Sequence, residues 1–368
     1  MSESIVYRTN MRATQEENLQ AKLTRLVKTA GIENIDYKNK YVAIKIHFGE
    51  RGNLAFLRPN YARTIVDIIK ARGGKPFLTD CSTLYVGGRK NALDHLETAY
   101  TNGFSPFSTD CHILIADGLK GTDELLVPVP NGELVKGAKI GRAVMDADIF
   151  ISLTHFKCHE CTGIGGTLKN IGMGCGSRSG KMEMHSSGKP VINEYDCIGC
   201  EKCTTVCAHS AILVNAGKAH NNHDKCVGCG RCLANCPVDA IVPGDDDAFD
   251  NLNKKISEYA AAVVHGRPHF HISLAVDISP YCDCHSENDM PIVPDIGMYA
   301  SFDPVALDAA IADAVNRLPA NPGSVLEERA GEGDDHFSSV TPGTNWRVGV
   351  EHAVKLGIGK SNYEIIEI

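Results

Sequence analysis

Two copies of one cysteine pattern lie close together in the middle of this 368-residue chain. The copies read CIGCEKCTTVC and CVGCGRCLANC, and Cys226 of the second copy stands 29 residues after Cys197 of the first. Each copy follows Cys-x-x-Cys-x-x-Cys-x-x-x-Cys. The two-residue gaps allow three thiolates from one loop to bind three irons of one cubane, and a fourth cysteine completes the set. The repeat therefore predicts eight thiolate ligands for iron–sulfur clusters.

The same pattern occurs in bacterial two-cluster ferredoxins, where the fourth cysteine of each copy binds the cluster of the other copy. Zinc sites more often contain two Cys-x-x-Cys pairs or mixed Cys and His, and disulfides are typical of small secreted chains. One small difference is that Pro237 follows the last cysteine of copy two, where copy one has Ala208. We therefore predict two [4Fe–4S] clusters as cofactors. The predicted ligands are Cys197, Cys200, Cys203 and Cys236 for the first cluster, and Cys226, Cys229, Cys232 and Cys207 for the second.

A second group of reactive side chains follows the ends of four predicted strands. In open α/β sheets, ligands bind at the carboxyl ends of the strands. A single histidine after a strand is more often structural, but four polar strand ends together predict a shared site at this edge. The polar runs are His47 to Glu50, Asp80 to Ser82, His155 to Cys161, and Asp277 to His285.

Two of these runs contain closely spaced cysteines outside the repeat. Such spacing on polar loops favours metal or redox chemistry, and thiolates with imidazole favour zinc, iron or nickel. We predict a third site next to the clusters, with the thiols of the two loops within about 10 Å of each other, because each ligand of one metal lies roughly 2.3 Å from it. The alternative is that each thiol is reduced and buried. The candidate ligands are Cys158, Cys161, Cys282, Cys284, His155 and His285.

Residues 163–186 are rich in glycine, with basic residues between the glycines. Glycine lets a backbone approach a ligand closely, and basic side chains suit a phosphate or a carboxylate. The stretch is not a Walker A sequence, and no Gly-x-Gly-x-x-Gly follows the first strand, so the sequence gives no support to nicotinamide binding. A small anionic substrate held by Lys157, Lys169 and Arg178 is one prediction. A loop that only packs beneath the cysteine repeat is the other.

Apolar strands alternate with amphipathic helices on both sides of the repeat, which is typical of a mostly parallel sheet with helices on both faces. The predicted fold class is therefore α/β. The alternation stops near residue 188 and resumes near residue 248. We predict a discontinuous α/β domain, residues 1–188 and 248–368, with a small α+β ferredoxin-like module, residues 189–247, inserted at a surface loop. Strands are predicted over 41–46, 75–79, 112–117, 148–156 and 269–276, and helices over 11–30, 59–72, 88–101, 140–146 and 346–356.

Composition limits the partners and the compartment. The net charge of −8 argues against nucleic acid or an anionic membrane as the main partner. The first residues lack the pattern of a signal peptide, and no apolar run approaches the roughly 20 residues that cross a bilayer. Fifteen cysteines under these conditions predict a reducing cytoplasm and bound metal. Oxygen-sensitive clusters further suggest an anaerobic or facultative host.

Three segments together resemble the bacterial and archaeal iron–sulfur proteins classed as domain of unknown function 362. They are THFKCHECTGIGGTLKNIGMGCGSRSGKMEMH at 154–185, the duplicated cysteine motif, and SFDPVALDAA at 301–310. The resemblance covers most of the chain. It implies an α/β domain that is often joined to two [4Fe–4S] clusters, and it implies no particular reaction.

The leading hypothesis is a cytoplasmic redox protein that passes single electrons through two clusters, to or from a site at the carboxyl edge of the sheet. It would need a redox partner protein, and if it is an enzyme, it is an iron–sulfur oxidoreductase. Two alternatives belong to other classes. One is a ferredoxin-like carrier or adaptor that docks a partner enzyme, and the other is a protein that delivers metal or cofactor during maturation of another protein. A carrier needs no converging polar site, so the strand-end residues favour the first hypothesis.

Overall fold

The structure is a computed structural model that describes residues 3–84, 87–185, 189–226, 232, 236–238, 240–242 and 248–368. In chain order the strands are β1 (Ser4–Thr9), β2 (Tyr41–Lys45), β3 (Lys75–Asp80), β4 (His112–Ile115), β5 (Glu124–Pro128), β6 (Gly137–Gly141), β7 (Ile149–His155), β8 (Lys157–His159), β9 (Gly163–Gly165), β10 (Val191–Ile192), β11 (Ile212–Asn215), β12 (Lys218–Asn221), β13 (Ile241–Val242), β14 (His269–Ala275), β15 (Gly297–Ser301) and β16 (Tyr363–Glu367). The helices are α1 (Leu19–Thr29), α2 (Pro59–Ala71), α3 (Ala92–Thr101), α4 (Pro106–Thr109), α5 (Arg142–Asp146), α6 (Thr167–Cys175), α7 (Arg178–His185), α8 (Lys202–Val206), α9 (Ala248–Val264), α10 (Pro304–Asn316), α11 (Val325–Glu328), α12 (His336–Val340) and α13 (Trp346–Lys355).

An eight-stranded sheet holds the two ends of the chain together. Its strand order is β16-β1-β15-β14-β7-β2-β3-β4. The five strands from β14 to β4 are all parallel, and β16 is parallel to β1. Strand β15 runs antiparallel to both of its neighbours. The predicted α/β class with a mostly parallel sheet is therefore confirmed, although the sequence patterns did not predict strands β1 and β16.

Helices cover both faces of this sheet. Strand β7 shows why, because it is buried along its whole length and its side chains alternate between two apolar clusters. Ile151 and Leu153 face a cluster that contains residues of α1 and α2. Phe150 faces the opposite cluster, which contains residues of α6, α9 and α10. A strand that packs on both faces must be continuously apolar, and this is the pattern that its sequence shows.

Helix boundaries follow the expected signals. Helix α2 begins at Pro59, and Gly73 follows its end with a φ of 80°, a conformation that favours glycine. Helix α10 begins at Pro304, and the side chain of Asp303 accepts hydrogen bonds from the first turn. Among the helices that the structure describes, none combines the length and the apolar composition that crossing a membrane requires.

The segment that carries the cysteine repeat has small elements of its own. Strands β10 and β13 pair antiparallel, and so do β11 and β12. A third apolar cluster lies here and is separate from the two clusters of the main sheet. It has seven buried residues, three of them cysteines of the repeat: Cys197, Cys203, Ile212, Ala219, Cys232, Ala240 and Ile241.

Candidate functional site

Four cysteines of the repeat line one small cavity between β12, α8 and β13. They are Cys197, Cys200, Cys203 and Cys236, which is the set predicted for the first cluster. The backbone N–H of Ala219 donates to Sγ of Cys197 at 3.3 Å. Four thiols around one cavity, with an amide directed at one sulfur, suit a [4Fe–4S] cluster, since clusters are held by four thiolates and tuned by hydrogen bonds to the sulfurs.

The set predicted for the second cluster is described in part. Cys232 is buried, and Cys207 and Cys226 are half-buried. The backbone N–H of Ala211 donates to Sγ of Cys207 at 3.3 Å. Cys229 lies outside the described residues. Within the described part of the chain, none of the fourteen cysteines is in a disulfide.

A larger cavity of about 70 Å³ lies at the carboxyl edge of the main sheet. The ends of β2, β3, β7 and β14 all contribute to it, as four polar strand ends in a parallel sheet predict. Helices α6, α7 and α9 close its other sides. Its lining includes Lys45, His47, Asp80, Arg89, Lys157, His159, Lys169, Lys181, His185, Leu252, Ile256, Cys282 and Cys284.

Five cationic side chains line this cavity, against the single carboxylate of Asp80. Lys45 pairs with Asp80 at 3.1 Å, and although burial opposes ionisation, Lys45 holds the pKa of that carboxyl well below its usual range. The other four are Arg89, Lys157, Lys169 and Lys181. Arg89 pairs with Glu50, and Lys157 pairs with Asp283. Lys181 donates a hydrogen bond to the carbonyl of Gly176. Three of the five cations are thus paired with a carboxylate, and the charges of Lys169 and Lys181 favour an anionic ligand.

Three soft donors meet at one wall of the same cavity. The Sγ atoms of Cys282 and Cys284 and a ring nitrogen of His159 all lie within 4.8 Å of one another. Lys169 Nζ lies 3.3 Å from Sγ of Cys282. The hydrogen bond from Cys284 and the charge of Lys169 lower the pKa of Cys282 well below its usual range, although burial opposes this. Burial lowers the pKa of His159 to about 4, so its imidazole is neutral at pH 7.

Glu160 and His285 form an ion pair beside this wall, with Nε2 of His285 3.0 Å from Oε1 of Glu160. Burial disfavours both charges, but Glu160 raises the pKa of His285 to about 9, and the neighbouring histidines keep the pKa of Glu160 well below its usual range. Cys161 is also close, because its Sγ lies within 4.8 Å of His159 and Glu160 ligand atoms. The 158–161 and 282–284 loops therefore meet at His159.

Two of the predicted ligands lie elsewhere. Cys158 is fully buried in the apolar cluster on the α6 side of the sheet, and burial raises the pKa of its thiol. Both ring nitrogens of His155 already have protein partners, since Nδ1 is 2.8 Å from Asp283 and Nε2 is 2.8 Å from the carbonyl of Val276. Arg178 is absent from the cavity wall and donates to the carbonyl of Lys90.

Sequence reasoning did not place His159 among the ligands, and it did not include Arg89. It singled out the glycine-rich stretch 163–186, which contains α7, but among the residues of α7 it named only Arg178 as a ligand of the anion. His159 was noticed only as one of several polar residues after β7. Helix α7 offered a signal, because Lys181 and His185 are four residues apart and therefore lie on one helix face. Both line the cavity.

Several solved structures match this chain. The lactate racemase apoprotein from Thermoanaerobacterium thermosaccharolyticum matches at 13% identity and a TM-score of 0.36, over 74% of this chain and 51% of that chain. A crystal structure of a protein from Thermotoga maritima matches at 12% identity and a TM-score of 0.36, over 94% of this chain and 60% of that one. The match therefore spans about half of the first structure's length. No curated protein matches the sequence. The family model described as domain of unknown function (DUF362) matches residues 42–313, and the chain therefore belongs to this family.

Proposed function

We propose that this protein is a cytoplasmic iron–sulfur redox protein whose residues 189–247 form a module that holds two [4Fe–4S] clusters. The observation that supports this best is the small cavity whose wall contains Cys197, Cys200, Cys203 and Cys236. Residues 39 positions apart in sequence thus meet in the crossed arrangement that two-cluster ferredoxins use. Bound clusters of this kind supply single-electron transfer.

The larger cavity is the proposed site to which these electrons pass. Helix α7 ends at His185, which lines the cavity, and the module begins four residues later. An extended chain spans at most about 3.6 Å per residue, so Lys189 lies within roughly 14 Å of His185. Helix α9 follows the module and contributes Leu252 and Ile256 to the same cavity. Both connections therefore hold the module near this edge of the sheet.

The cavity residues bind and orient a small anionic substrate in this proposal. Lys157, Lys169 and Lys181 come from three different elements, and all three residues line the cavity. Burial strengthens their attraction for an anion, because the effective dielectric constant is lower than in water. The same burial excludes bulk water from the reacting atoms.

A redox partner protein would dock on the module. Cys200 is exposed, and two large apolar residues next to the first cluster set are exposed as well, with Ile198 63% and Tyr195 96% accessible. Exposed apolar residues beside an electron-transfer site are typical of the small transient interfaces that redox proteins form.

Metal analysis and EPR test this proposal. Anaerobically purified protein should contain about eight irons and eight sulfides per chain, and dithionite should give the EPR signal of two coupled [4Fe–4S]⁺ centres. The Cys200→Ala variant should contain about half of the iron, and its EPR signal should lack the magnetic coupling between two clusters. Cys111→Ala is the matched control, since this buried thiol lies at the start of β4 and should leave the iron content unchanged.

Two results would contradict the proposal. One is a reproducible content near four irons, and the other is zinc in place of iron. Equal iron loss in the Cys200 and Cys111 variants would show that the loss comes from unfolding rather than from a missing ligand. Far-UV circular dichroism of both variants therefore checks that they are folded.

A further inference from the structure

We propose that Cys282, Cys284 and His159 bind one divalent metal of the thiophilic class, such as zinc, and leave one coordination position open toward the large cavity. This inference deepens the proposed function, because it names the chemistry at the site that the clusters serve. The metal would be a third centre, independent of the eight cysteines of the repeat.

The positions of the three donor atoms suit one ion. Metal–sulfur and metal–nitrogen bonds of about 2.3 and 2.0 Å place neighbouring ligand atoms of a tetrahedral ion roughly 3.5 Å apart. The three donor atoms here all lie within 4.8 Å of one another, so small side-chain shifts would complete the site. His159 and Cys282 are buried, and Cys284 is half-buried. Buried soft donors that converge in this way are typical of metal sites.

The surroundings of the donors support a metal over isolated thiols. Nε2 of His159 lies 3.5 Å from Oε2 of Glu160, and Nδ1 accepts a hydrogen bond from the backbone N–H of Cys161 at 3.1 Å. A metal at Nδ1 would replace the hydrogen bond from Cys161, while a proton on Nε2 faces the carboxylate, which is the orientation that carboxylates give to metal-binding histidines. Lys169 lies 3.3 Å from Sγ of Cys282 and offsets the negative charge of a dithiolate site.

The nearby cysteine and histidine side chains are less suitable ligands. His155 uses both ring nitrogens in hydrogen bonds, and Cys158 lies in the apolar cluster. Both ring nitrogens of His285 also have partners, since Nε2 lies 3.0 Å from Oε1 of Glu160 and Nδ1 lies 3.2 Å from Oε1 of Glu287. Cys161 lies near His159 but does not belong to the group of donors that contains Cys282 and Cys284. The two thiols and the imidazole therefore form a three-residue set.

The open position defines the substrate class. All three ligands line the cavity, as do Lys157 and Lys169. Catalytic zinc sites hold the metal by three protein ligands and keep the fourth position for water or substrate. A small carboxylate or other oxyanion could place one oxygen on the metal while its remaining charge faces the lysine ammonium groups.

Zinc-edge X-ray absorption of the complete, cluster-loaded protein tests this inference, because iron does not contribute at the zinc edge. Anaerobic protein incubated with Zn²⁺ and then gel-filtered should retain one zinc per chain. The spectrum should fit two sulfurs near 2.3 Å and two nitrogen or oxygen atoms near 2.0 Å, as typical zinc bond lengths require. Cys282→Ala and Cys284→Ala should each lower zinc affinity at least tenfold and leave the iron content unchanged. Cys158→Ala is the matched control in the neighbouring loop and should retain zinc.

Three results would overturn the inference. A four-sulfur spectrum would place zinc among the cysteines of the repeat, and a spectrum without sulfur would indicate adventitious surface binding. Zinc retention by both the Cys282 and Cys284 variants would exclude these thiols as ligands. The absorption spectrum needs no variant, so it decides the question even if a substitution unfolds the chain. If zinc does not bind these ligands but the iron content and the EPR signal are as expected, the inference of a third metal site is wrong and the proposal of a two-cluster module still stands.

Discussion

At the scale of single residues, buried carboxylates hold the elements around the large cavity in place. Asp308 on α10 is an example. Its carboxylate accepts the backbone N–H groups of Thr167 and Leu168 at 2.6 and 2.8 Å, and so it caps the first turn of α6 from another helix. Gly166 precedes α6 and has no side chain to perform this capping, so Asp308 supplies the acceptor instead. Helix α6 carries Lys169, and Asp308 thus helps to position a cavity residue.

Asp308 variants should separate the hydrogen bonds from the charge. Asp308→Ala leaves two buried N–H groups without an acceptor and should lower the free energy of unfolding by about 1–3 kcal/mol. Burial raises the pKa of Asp308 to about 6, despite the two N–H donors. The native state therefore binds this proton more tightly than the unfolded state, and stability falls as the pH rises from about 4 to 6. Asp308→Asn keeps an acceptor and has no charge.

Urea unfolding at pH 5.0 and pH 7.5 provides the measurement. The stability of Asp308→Asn relative to the unsubstituted protein should be higher at pH 7.5 than at pH 5.0, because only the unsubstituted protein carries the buried charge at the higher pH. An identical difference at the two pH values would show that Asp308 has an ordinary pKa.

At the scale of elements, close contact between two helices joins the cavity to the segment that follows the module. Gly172 on α6 faces α9, and a Cβ atom at this position would lie 2.0 Å from the backbone oxygen of Ile256. Only glycine permits this approach, because a backbone carbonyl cannot move aside as a flexible side chain can. Ile256 also lines the cavity, so this contact fixes one of its walls.

Gly172→Ala should therefore destabilise the protein by about 1–3 kcal/mol or more through overpacking. Gly349→Ala is a matched control, since Gly349 on α13 faces the same helix, but a Cβ atom there would lie 3.5 Å from the nearest atoms, those of Asn253. This second change should be tolerated and could add up to about 1 kcal/mol, because alanine is the better helix former. Thermal unfolding by circular dichroism compares the two variants. Equal destabilisation would contradict the role of the close α6–α9 contact.

At the scale of the whole molecule, the two proposed parts differ in what stabilises them. The α/β part has two extensive apolar clusters, one on each face of the main sheet. The segment with the cysteine repeat has a cluster of only seven buried residues within the described part of the chain, and three of those are cysteines. A core of that size supplies little folding energy, so in the proposed module cluster binding by the thiols would supply most of it.

Removal of iron by a chelator should therefore unfold the module and leave the α/β domain folded. Limited proteolysis of the stripped protein should cut first within residues 189–247, while the remaining fragments stay associated and retain most of the helical circular dichroism signal. Cluster-loaded protein is the control and should resist cleavage at these sites. Loss of all soluble protein after chelation, or cleavage spread evenly along the chain, would contradict this independence.

The sequence by itself determined the local and periodic features of this protein. Alternating apolar strands and amphipathic helices indicated the α/β class, because a parallel sheet buried on both faces requires strands such as β7. Cysteine spacing predicts the proposed cluster ligands, because the geometry of a cubane limits the gaps between them. The polar strand ends indicated which edge of the sheet would carry the site.

Tertiary structure decided which of those residues meet. Cys158 and Cys161 are equally plausible ligands by spacing, and both belong to the apolar cluster, but Cys161 also lies near the ligand atoms of His159 and Glu160. Both ring nitrogens of His155 have hydrogen-bond partners. In contrast, a ring nitrogen of His159 lies within 4.8 Å of two thiols from a loop more than one hundred residues later in the chain. Strand β1 pairs with β16 from the other end of the chain and with β15, and the sequence patterns identified neither β1 nor β16. Long-range contacts of this kind depend on side-chain direction and strand order, and a short stretch of sequence specifies neither.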